Sequence, residues 1–368
     1  MSISKMITSI LLVSLLAFNC SSEEEPVPQV DSVNTRIVIQ DTFMDQDFVV
    51  YANWTIGFMQ AYSRRTQDGT LLDFELISGK FPIIMKDNEG NEWNAFGVAT
   101  SGPRAGEPLK IMNSMMGYWF SFAAMFPEVT LYGEEDRERI SSGSTNPDWL
   151  VNPVFFGALK DGIPALNSPG FSLFRSIAKD DTYINNNELV IVYFDGESVK
   201  IYPHKVLDWH EIVNDESRGD KIVVSYCPLT GTASIWNRSI ENATYTFGVS
   251  GLLHNSNLIH FDRETDSNWS QMKQLAVNGD QISKVPEIIP YFEMTWEAAQ
   301  KLSGELYILS DNTGTGRNYD DYPYGDYRDS ERINFPVNVT DNRVSPKERV
   351  LGILINDSVK VYRFGDFD

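Results

Sequence analysis

The sequence predicts a mainly β protein: a β-rich α+β fold of two tandem, internally duplicated β domains with a few short helices. Apolar and polar residues alternate in short runs bounded by Gly, Asn, Asp and Pro, a pattern typical of strands. Landmark residues also recur in the second half of the chain, in the same order and at a nearly constant spacing. The 368 residues suffice for two domains, since domains usually span roughly 100–200 residues.

The first 35 residues have the character of an export signal followed by a tether. The apolar run Met6–Phe18 is shorter than the ~20 residues of a membrane-spanning helix and fits a signal peptide over residues 1–19. Cys20 follows this run directly, as the lipidated cysteine of a bacterial lipoprotein does, and residues 20–35 then form an acidic, flexible tether. We expect an exported protein that is lipid-anchored to the bacterial outer membrane, and the acidic residues after Cys20 are compatible with surface exposure. The alternative is an ordinary signal peptide with a chance cysteine.

The charge balance bears on the partners of the protein. The formal net charge is −21, and no basic stripe is present. Such a surface repels phosphate backbones, so nucleic acid is not an expected partner. The expected partners are the membrane, through the N-terminal lipid, and a small ligand or another envelope protein.

Residues 36–150 form the first predicted domain, a diverged repeat. Short runs predict strands at Arg36–Ile39 and Leu71–Ile77, and helical spacing is present at Tyr118–Met125. The stretch from about Gly133 to Pro153 is rich in Ser, Gly and acidic residues, which predicts a linker.

Residues 155–368 form the second predicted domain. Leu189–Phe194 and Val199–Tyr202 flank Asp195-Gly196, a pair that suits the tight turn of a β-hairpin. Helical spacing recurs at Val206–Val213 and Trp296–Leu302. The C-terminal segment Ser358–Tyr362 repeats the pattern of Ser198–Tyr202, and we expect its hairpin to close the second domain.

The internal repeat is carried by residue pairs whose spacing varies only from 173 to 177. A period this long indicates two domains rather than a solenoid, whose repeats span ~20–50 residues. The pairs are Tyr51 and Tyr226, Arg64 and Arg238, Phe74 and Phe247, Asp87 and Asp262, Trp93 and Trp269, Ala99 and Ala276, Gly102 and Gly279, Trp119 and Trp296, and Glu128 and Glu305.

Several strings in the second half are specific enough to suggest a family. They are Lys160–Ala165, Tyr202-Pro203, Trp209–Asp215, Tyr226–Ala233, Phe247–Leu253 and Asp262–Gln271. Together they resemble the bacterial domain-of-unknown-function family 3179, over roughly residues 155–368. That family's signature reads Cys-Pro-Leu-Cys-Gly-Thr-Ala; here Cys227 keeps the first cysteine and Thr230 replaces the second. The resemblance implies no established activity.

Cys227 and His210 are the candidate reactive pair. Cys227 ends a predicted strand before Pro228, and a nearby cationic histidine would lower the pKa of its thiol. His210 lies on the predicted helix with Asn214 four residues later on the same face. We therefore predict that His210 and Cys227 meet, either as base and nucleophile or as ligands of a divalent metal ion. The alternative is a buried, inert cysteine and a histidine bonded into the core.

Four further residues complete the predicted site as ligand-binding candidates: Asn214, Asp215, Tyr226 and Gln271. The favoured function is a non-catalytic binding or assembly lipoprotein of the cell envelope, with a small-ligand or metal site near Cys227. Two alternatives stay open: a thiol-dependent enzyme with Cys227 as nucleophile and His210 as base, and a purely structural, partner-binding surface lipoprotein.

Overall fold

The computed structural model describes residues 38–126, 128–134, 154–176 and 182–367. The described residues belong to one compact unit. Strands dominate the described ranges and the helices are short, so the mainly β prediction is confirmed. No helix in these ranges is long and apolar enough to cross a membrane. The predicted signal peptide, Cys20, the tether and most of the predicted linker lie outside the described residues.

The first half of the chain holds two small antiparallel sheets, one of β1 to β3 and one of β4 to β7, followed by a strand–helix–strand unit. The elements are β1 (Val38–Phe43), β2 (Gln46–Asn53), β3 (Phe58–Ser63), β4 (Phe74–Leu76), β5 (Ile83–Asp87), β6 (Glu92–Asn94), β7 (Ala99–Ser101), β8 (Ser114–Tyr118), α1 (Trp119–Met125) and β9 (Thr130–Leu131).

The second half begins with three short strands and a hairpin. These elements are β10 (Val154–Phe156), β11 (Leu166–Asn167), β12 (Phe171–Leu173), β13 (Leu189–Phe194), β14 (Ser198–Pro203) and α2 (His204–His210). The remaining elements are β15 (Ile212–Ser217), β16 (Asp220–Cys227), β17 (Thr232–Asn237), β18 (Ser239–Ile240), β19 (Ala243–Thr244), β20 (Phe247–His254), β21 (Asn257–Asp262), β22 (Asn268–Ser270), β23 (Leu275–Asn278), β24 (Phe292–Thr295), α3 (Trp296–Ala299), β25 (Glu305–Leu309), β26 (Arg349–Ile355) and β27 (Ser358–Arg363).

Local sequence signals place the hairpin β13–β14 correctly. Its strands pair antiparallel around Asp195-Gly196, and Gly196 adopts a φ of 97°, which a glycine tolerates without steric cost. The helix predicted over 206–213 is instead α2, which begins one residue after Pro203 and ends at His210. Asn214 therefore lies on strand β15 and not one helical turn after His210.

The C-terminal hairpin β26–β27 joins the first half of the chain, and the expectation that it closes the second domain is wrong. Strand β26 pairs antiparallel with β8, and β27 pairs parallel with β9. The sheet order β8-β26-β27-β9 has the same strand senses as β24-β13-β14-β25, in which the early hairpin β13–β14 pairs with β24 and β25. The last hairpin of the range predicted as the second domain thus shares a sheet with strands of the first.

Some of the repeated residues make matching contacts. Trp93 Nε1 donates to Asp87 Oδ2 at 2.9 Å, and Trp269 Nε1 donates to Asp262 Oδ2 at 2.9 Å. These contacts agree with the predicted duplication, which itself stays a prediction.

Helix α2 is fixed by its apolar side chains. Val206 and Leu207 pack fully buried in a core cluster with Val224 and Tyr226 of strand β16. This packing brings the carboxylate at the end of the helix, Asp208, into the protein interior.

Candidate functional site

Cys227 lies at the end of β16 and is buried, with 1% of its surface exposed. Its Sγ lies 3.7 Å from the carbonyl oxygen of Ser256. Burial, with the nearby charge of Glu211, raises the pKa of the thiol to about 11. Because only the thiolate is a good nucleophile or metal ligand, this environment disfavours either role for Cys227 near neutral pH.

Thr230, at the position of the second signature cysteine, belongs to a buried hydrogen-bond network. Its Oγ1 lies 2.8 Å from Thr232 Oγ1 and accepts from Asn257 Nδ2 at 3.0 Å. The backbone N–H of Tyr118, from the first half of the chain, donates to the Thr230 carbonyl at 2.8 Å. The loop after Cys227 is therefore covered by the first half of the protein.

His210 is fully buried, and both ring nitrogens have partners other than Cys227. Nδ1 lies 2.7 Å from the carbonyl oxygen of Pro164, and Nε2 lies 2.6 Å from the hydroxyl of Tyr319. Since a carbonyl can only accept, we assign the proton to Nδ1, and the Tyr319 hydroxyl then donates to Nε2. Burial lowers the pKa of His210, which favours this neutral form.

The predicted hydrogen bond between His210 and Cys227 is accordingly not formed, because the folded chain satisfies both side chains elsewhere. Neither ring nitrogen of His210 is left for a metal ion. Among the described residues, no group of three or more His, Cys, Asp or Glu side chains is placed to hold one.

Three of the predicted ligand-binding side chains have their polar atoms occupied within the protein. Asn214 bridges to the backbone of Phe247, with which it exchanges two hydrogen bonds of 2.7 and 2.9 Å. Asp215 accepts from Lys200 Nζ at 2.7 Å and from the Tyr202 hydroxyl at 2.6 Å. Gln271 Oε1 accepts from Thr232 Oγ1 at 2.7 Å and from Asn257 Nδ2 at 2.8 Å. Their role as ligand-binding residues stays a prediction, and these contacts favour a structural one.

A different group of side chains gathers where helix α2 ends. Asp208 and Glu211 are 3% and 5% exposed. Burial raises the pKa of Asp208 to about 6, although the Arg328 guanidinium opposes the rise. Burial also raises the pKa of Glu211 to about 7, against a hydrogen bond of 2.7 Å from the Tyr324 hydroxyl. Two buried carboxyls thus titrate near neutral pH.

The backbone at Glu211 is itself unusual. Glu211 caps α2 with a φ of 56° and a ψ of −32°, a positive-φ conformation outside the left-handed helical region that residues other than glycine rarely adopt. Its N–H donates to the Leu207 carbonyl, and its own carbonyl accepts from the N–H of Tyr226. These bonds hold the chain in this conformation and direct it into strand β15.

Tyrosines accompany the two carboxyls: the Tyr324 hydroxyl bonds to Glu211, and the Tyr322 ring faces the Arg328 guanidinium that bonds to Asp208. Burial raises the pKa of Tyr118, Tyr226 and Tyr322, and the charge of Asp208 contributes to each rise, so all three lie within its electrostatic reach. We call the whole group the α2 site; it comprises Tyr118, Asp208, Glu211, Tyr226, Tyr322, Tyr324 and Arg328. Of the residues proposed from the sequence, only Tyr226 belongs to it.

A long segment between β25 and β26, residues 310–348, lies over the α2 site and is called the strap. Within it, only the 3-10 turn Tyr327–Asp329 is helical, and no strand is present. The strap bonds to four consecutive residues of the chain around the end of α2: Arg328 to Asp208, the Asp321 carbonyl to Trp209, Tyr319 to His210, and Tyr324 to Glu211. Long loops without regular structure in compact proteins are frequently functional lids or binding loops.

Hydrogen bonding in the α2 site is incomplete. The Asp208 Oδ1 and Tyr322 hydroxyl oxygens have no hydrogen-bond partner among the described residues. Nearby, Arg349 forms an ion pair with the buried Glu293 at 2.7 Å, and His204 Nε2 lies 2.9 Å from the same carboxylate. Since native proteins pair nearly all buried polar atoms, unpaired ones deserve a functional explanation.

Comparison with known families finds one matching family model. The model of a family described as a protein of unknown function (DUF3179) matches residues 160–367, more than half of the chain. The chain belongs to this family. All members of the α2 site except Tyr118 lie in the matched range of this DUF3179 protein. No curated protein and no solved structure matches the chain.

The sequence contained partial signals for this site. Asp208 directly precedes the string Trp209–Asp215, and Tyr322 and Tyr324 lie in a tyrosine-rich stretch. In so acidic a chain, however, residue type alone does not distinguish the buried carboxylates from the many exposed ones.

Proposed function

We propose that this DUF3179 protein binds a small ligand at the α2 site, as a non-catalytic, lipid-anchored protein of the cell envelope. The observation that carries the proposal is that Asp208 and Glu211 are buried without a full set of hydrogen-bond and ion-pair partners. Glu211 forms no ion pair with any described residue, and one oxygen of Asp208 has no partner.

Buried carboxyls without partners lower the stability of the fold. A buried carboxylate is costly to ionise unless it is paired, so it lowers stability at the pH where most proteins work. Perturbed carboxyls, an unusual backbone conformation at Glu211 and unpaired polar atoms coincide at functional sites more often than elsewhere. A ligand that bonds to these groups would replace the missing partners.

The position of the site supports a small ligand rather than a large partner. The strap covers the end of α2, and Asp208 and Glu211 are almost completely removed from solvent. A macromolecular surface could not reach these carboxyls directly, whereas a small molecule could enter beneath a moving strap.

The thiol-dependent alternative has less support. Burial keeps the pKa of Cys227 at about 11, and His210 has no free ring nitrogen to act as its base. The envelope location rests on the short apolar run before Cys20 and on the acidic residues after it. These features support export and lipid anchoring as part of the proposal.

The proposal is tested by thermal unfolding of the purified protein with three classes of probe at millimolar concentration: a primary amine, a neutral sugar and a carboxylic acid. A ligand that binds the folded state raises the melting temperature. We expect at least one class to stabilise the wild type but not Asp208→Asn. Glu216→Gln is the matched control, because Glu216 is exposed on the neighbouring strand β15, and it should respond as the wild type does. No shift with any class would overturn the proposal.

A further inference from the structure

Arg328 bonds to only one of the two carboxylate oxygens of Asp208. Arg328 reaches from the strap to Asp208 Oδ2 at 2.8 Å, and its guanidinium carbon lies 4.2 Å from the centre of the Tyr322 ring. The Arg328 side chain is 45% exposed, whereas that of Asp208 is 3% exposed. A cation on an exposed strap thus approaches a buried carboxylate from the solvent side.

A second ion pair in the same chain shows what a complete pairing looks like. Arg263 binds Asp161 through two bonds, Nη1 to Oδ2 at 2.8 Å and Nη2 to Oδ1 at 2.7 Å, although both residues are more exposed than Asp208. Two-point pairing is the favoured geometry between guanidinium and carboxylate. At Asp208 only one oxygen is bonded, and the other is buried without a partner.

The surroundings of Asp208 favour a cation over a neutral or anionic group. Glu211, three residues later, is a second buried carboxyl, and it forms no ion pair with any described residue. The Tyr322 ring faces the Arg328 guanidinium that bonds to Asp208, so an aromatic face lies beside the cation at this carboxylate. Carboxylates combined with aromatic rings recognise organic cations, because the ring faces attract positive charge. The net charge of −21 attracts cations to the whole molecule.

Resting on the proposed function, we propose that the ligand of the α2 site carries an organic cation, a guanidinium or primary ammonium group, and that Arg328 occupies its place on Asp208. The strap then acts as an internal competitor. Binding moves the Arg328 guanidinium into solvent, and the ligand's cation pairs with Asp208 over the Tyr322 ring.

Removal of Arg328 should therefore open the site to a free cation. The probe is methylguanidinium at low millimolar concentration, and the readout is the melting temperature of the purified protein. We expect methylguanidinium to raise the melting temperature of Arg328→Ala, with an apparent Kd about tenfold lower than in the wild type, because the competing side chain is gone. If Arg328→Ala does not fold, Arg328→Gln carries the same test.

Two controls separate this idea from a general effect of the probe. Arg332 lies on the same strap and pairs with the exposed Asp326 at 2.8 Å, so Arg332→Ala should show no gain in affinity. The double variant with Arg328→Ala and Asp208→Asn should lose the response. Equal affinity for methylguanidinium in Arg328→Ala and the wild type, or a response that survives in the double variant, would overturn the inference.

The failure of this inference is distinguishable from failure of the proposed function. If the sugar or the carboxylic acid stabilises the wild type and methylguanidinium stabilises neither protein, the site binds a ligand of another charge. If none of the probes acts on either protein, both proposals fail.

Discussion

Replacing Glu211 with Gln should stabilise the protein at pH 8 much more than at pH 5. The Gln side chain has nearly the same shape and keeps an oxygen that can accept from the Tyr324 hydroxyl, but it cannot ionise. The titratable groups facing Glu211 are Asp208, Cys227 and Tyr324. They are present in both proteins, so the difference between the variants isolates Glu211.

The magnitude follows from the pKa. Burial raises the pKa of Glu211 from 4.5 to about 7, so the folded protein holds this proton more tightly than the unfolded chain. The associated stability is present below pH 4.5 and is lost as the pH rises through 7. At about 1.4 kcal/mol for each unit of pKa, the loss approaches about 3 kcal/mol above pH 7. Roughly 1 kcal/mol of it has already been lost at pH 5, which leaves about 2 kcal/mol between pH 5 and pH 8.

The assay is urea unfolding followed by tryptophan fluorescence, for the wild type and Glu211→Gln at both pH values. The free energy of unfolding gained by the variant should be larger at pH 8 by about 2 kcal/mol. Glu216→Gln is the control: Lys221 lowers the pKa of the exposed Glu216, so its replacement should have a small effect of opposite sign. A gain for Glu211→Gln that is the same at both pH values would refute the reasoning.

Four further predictions follow from the sequence and the contacts. Cys20→Ala should move the protein from the membrane fraction to the soluble fraction, and a variant that stays membrane-bound would contradict lipid anchoring. Alkylation of Cys227 at pH 8 should be far slower in the folded than in the urea-unfolded protein, because burial raises the pKa of the thiol to about 11; equal rates would show an accessible thiolate. Tyr319→Phe should lower the free energy of unfolding by about 1–3 kcal/mol, measured in urea, because it leaves the buried Nε2 of His210 without a donor; no loss would contradict the assigned bond. Truncation before Arg349 should abolish cooperative unfolding, since it removes β26 and β27, the two strands between β8 and β9, and a cooperative transition in the truncated chain would contradict that role.

Secondary structure in this protein was largely readable from the sequence, because it depends on neighbours along the chain. The hairpin β13–β14 illustrates this: alternating apolar residues and an Asp-Gly turn lie within 15 residues and specify both strands and their pairing. Helix α2 was displaced in the prediction because Ile212 and Val213, apolar residues that fit the helical spacing, begin strand β15 instead. Their pairing with β16 makes these two residues a strand, and the local sequence pattern does not predict that pairing.

The sequence by itself determined the β-rich class and the family. Only the tertiary structure decided that Cys227 and His210 form hydrogen bonds with other partners rather than with each other. It also decided that Asp208 and Glu211 are buried beneath the strap. The physical reason is distance along the chain. Arg328 meets Asp208 across 120 residues, and β26 meets β8 across more than 200, so burial and pairing at these points depend on packing that residue type and spacing do not encode.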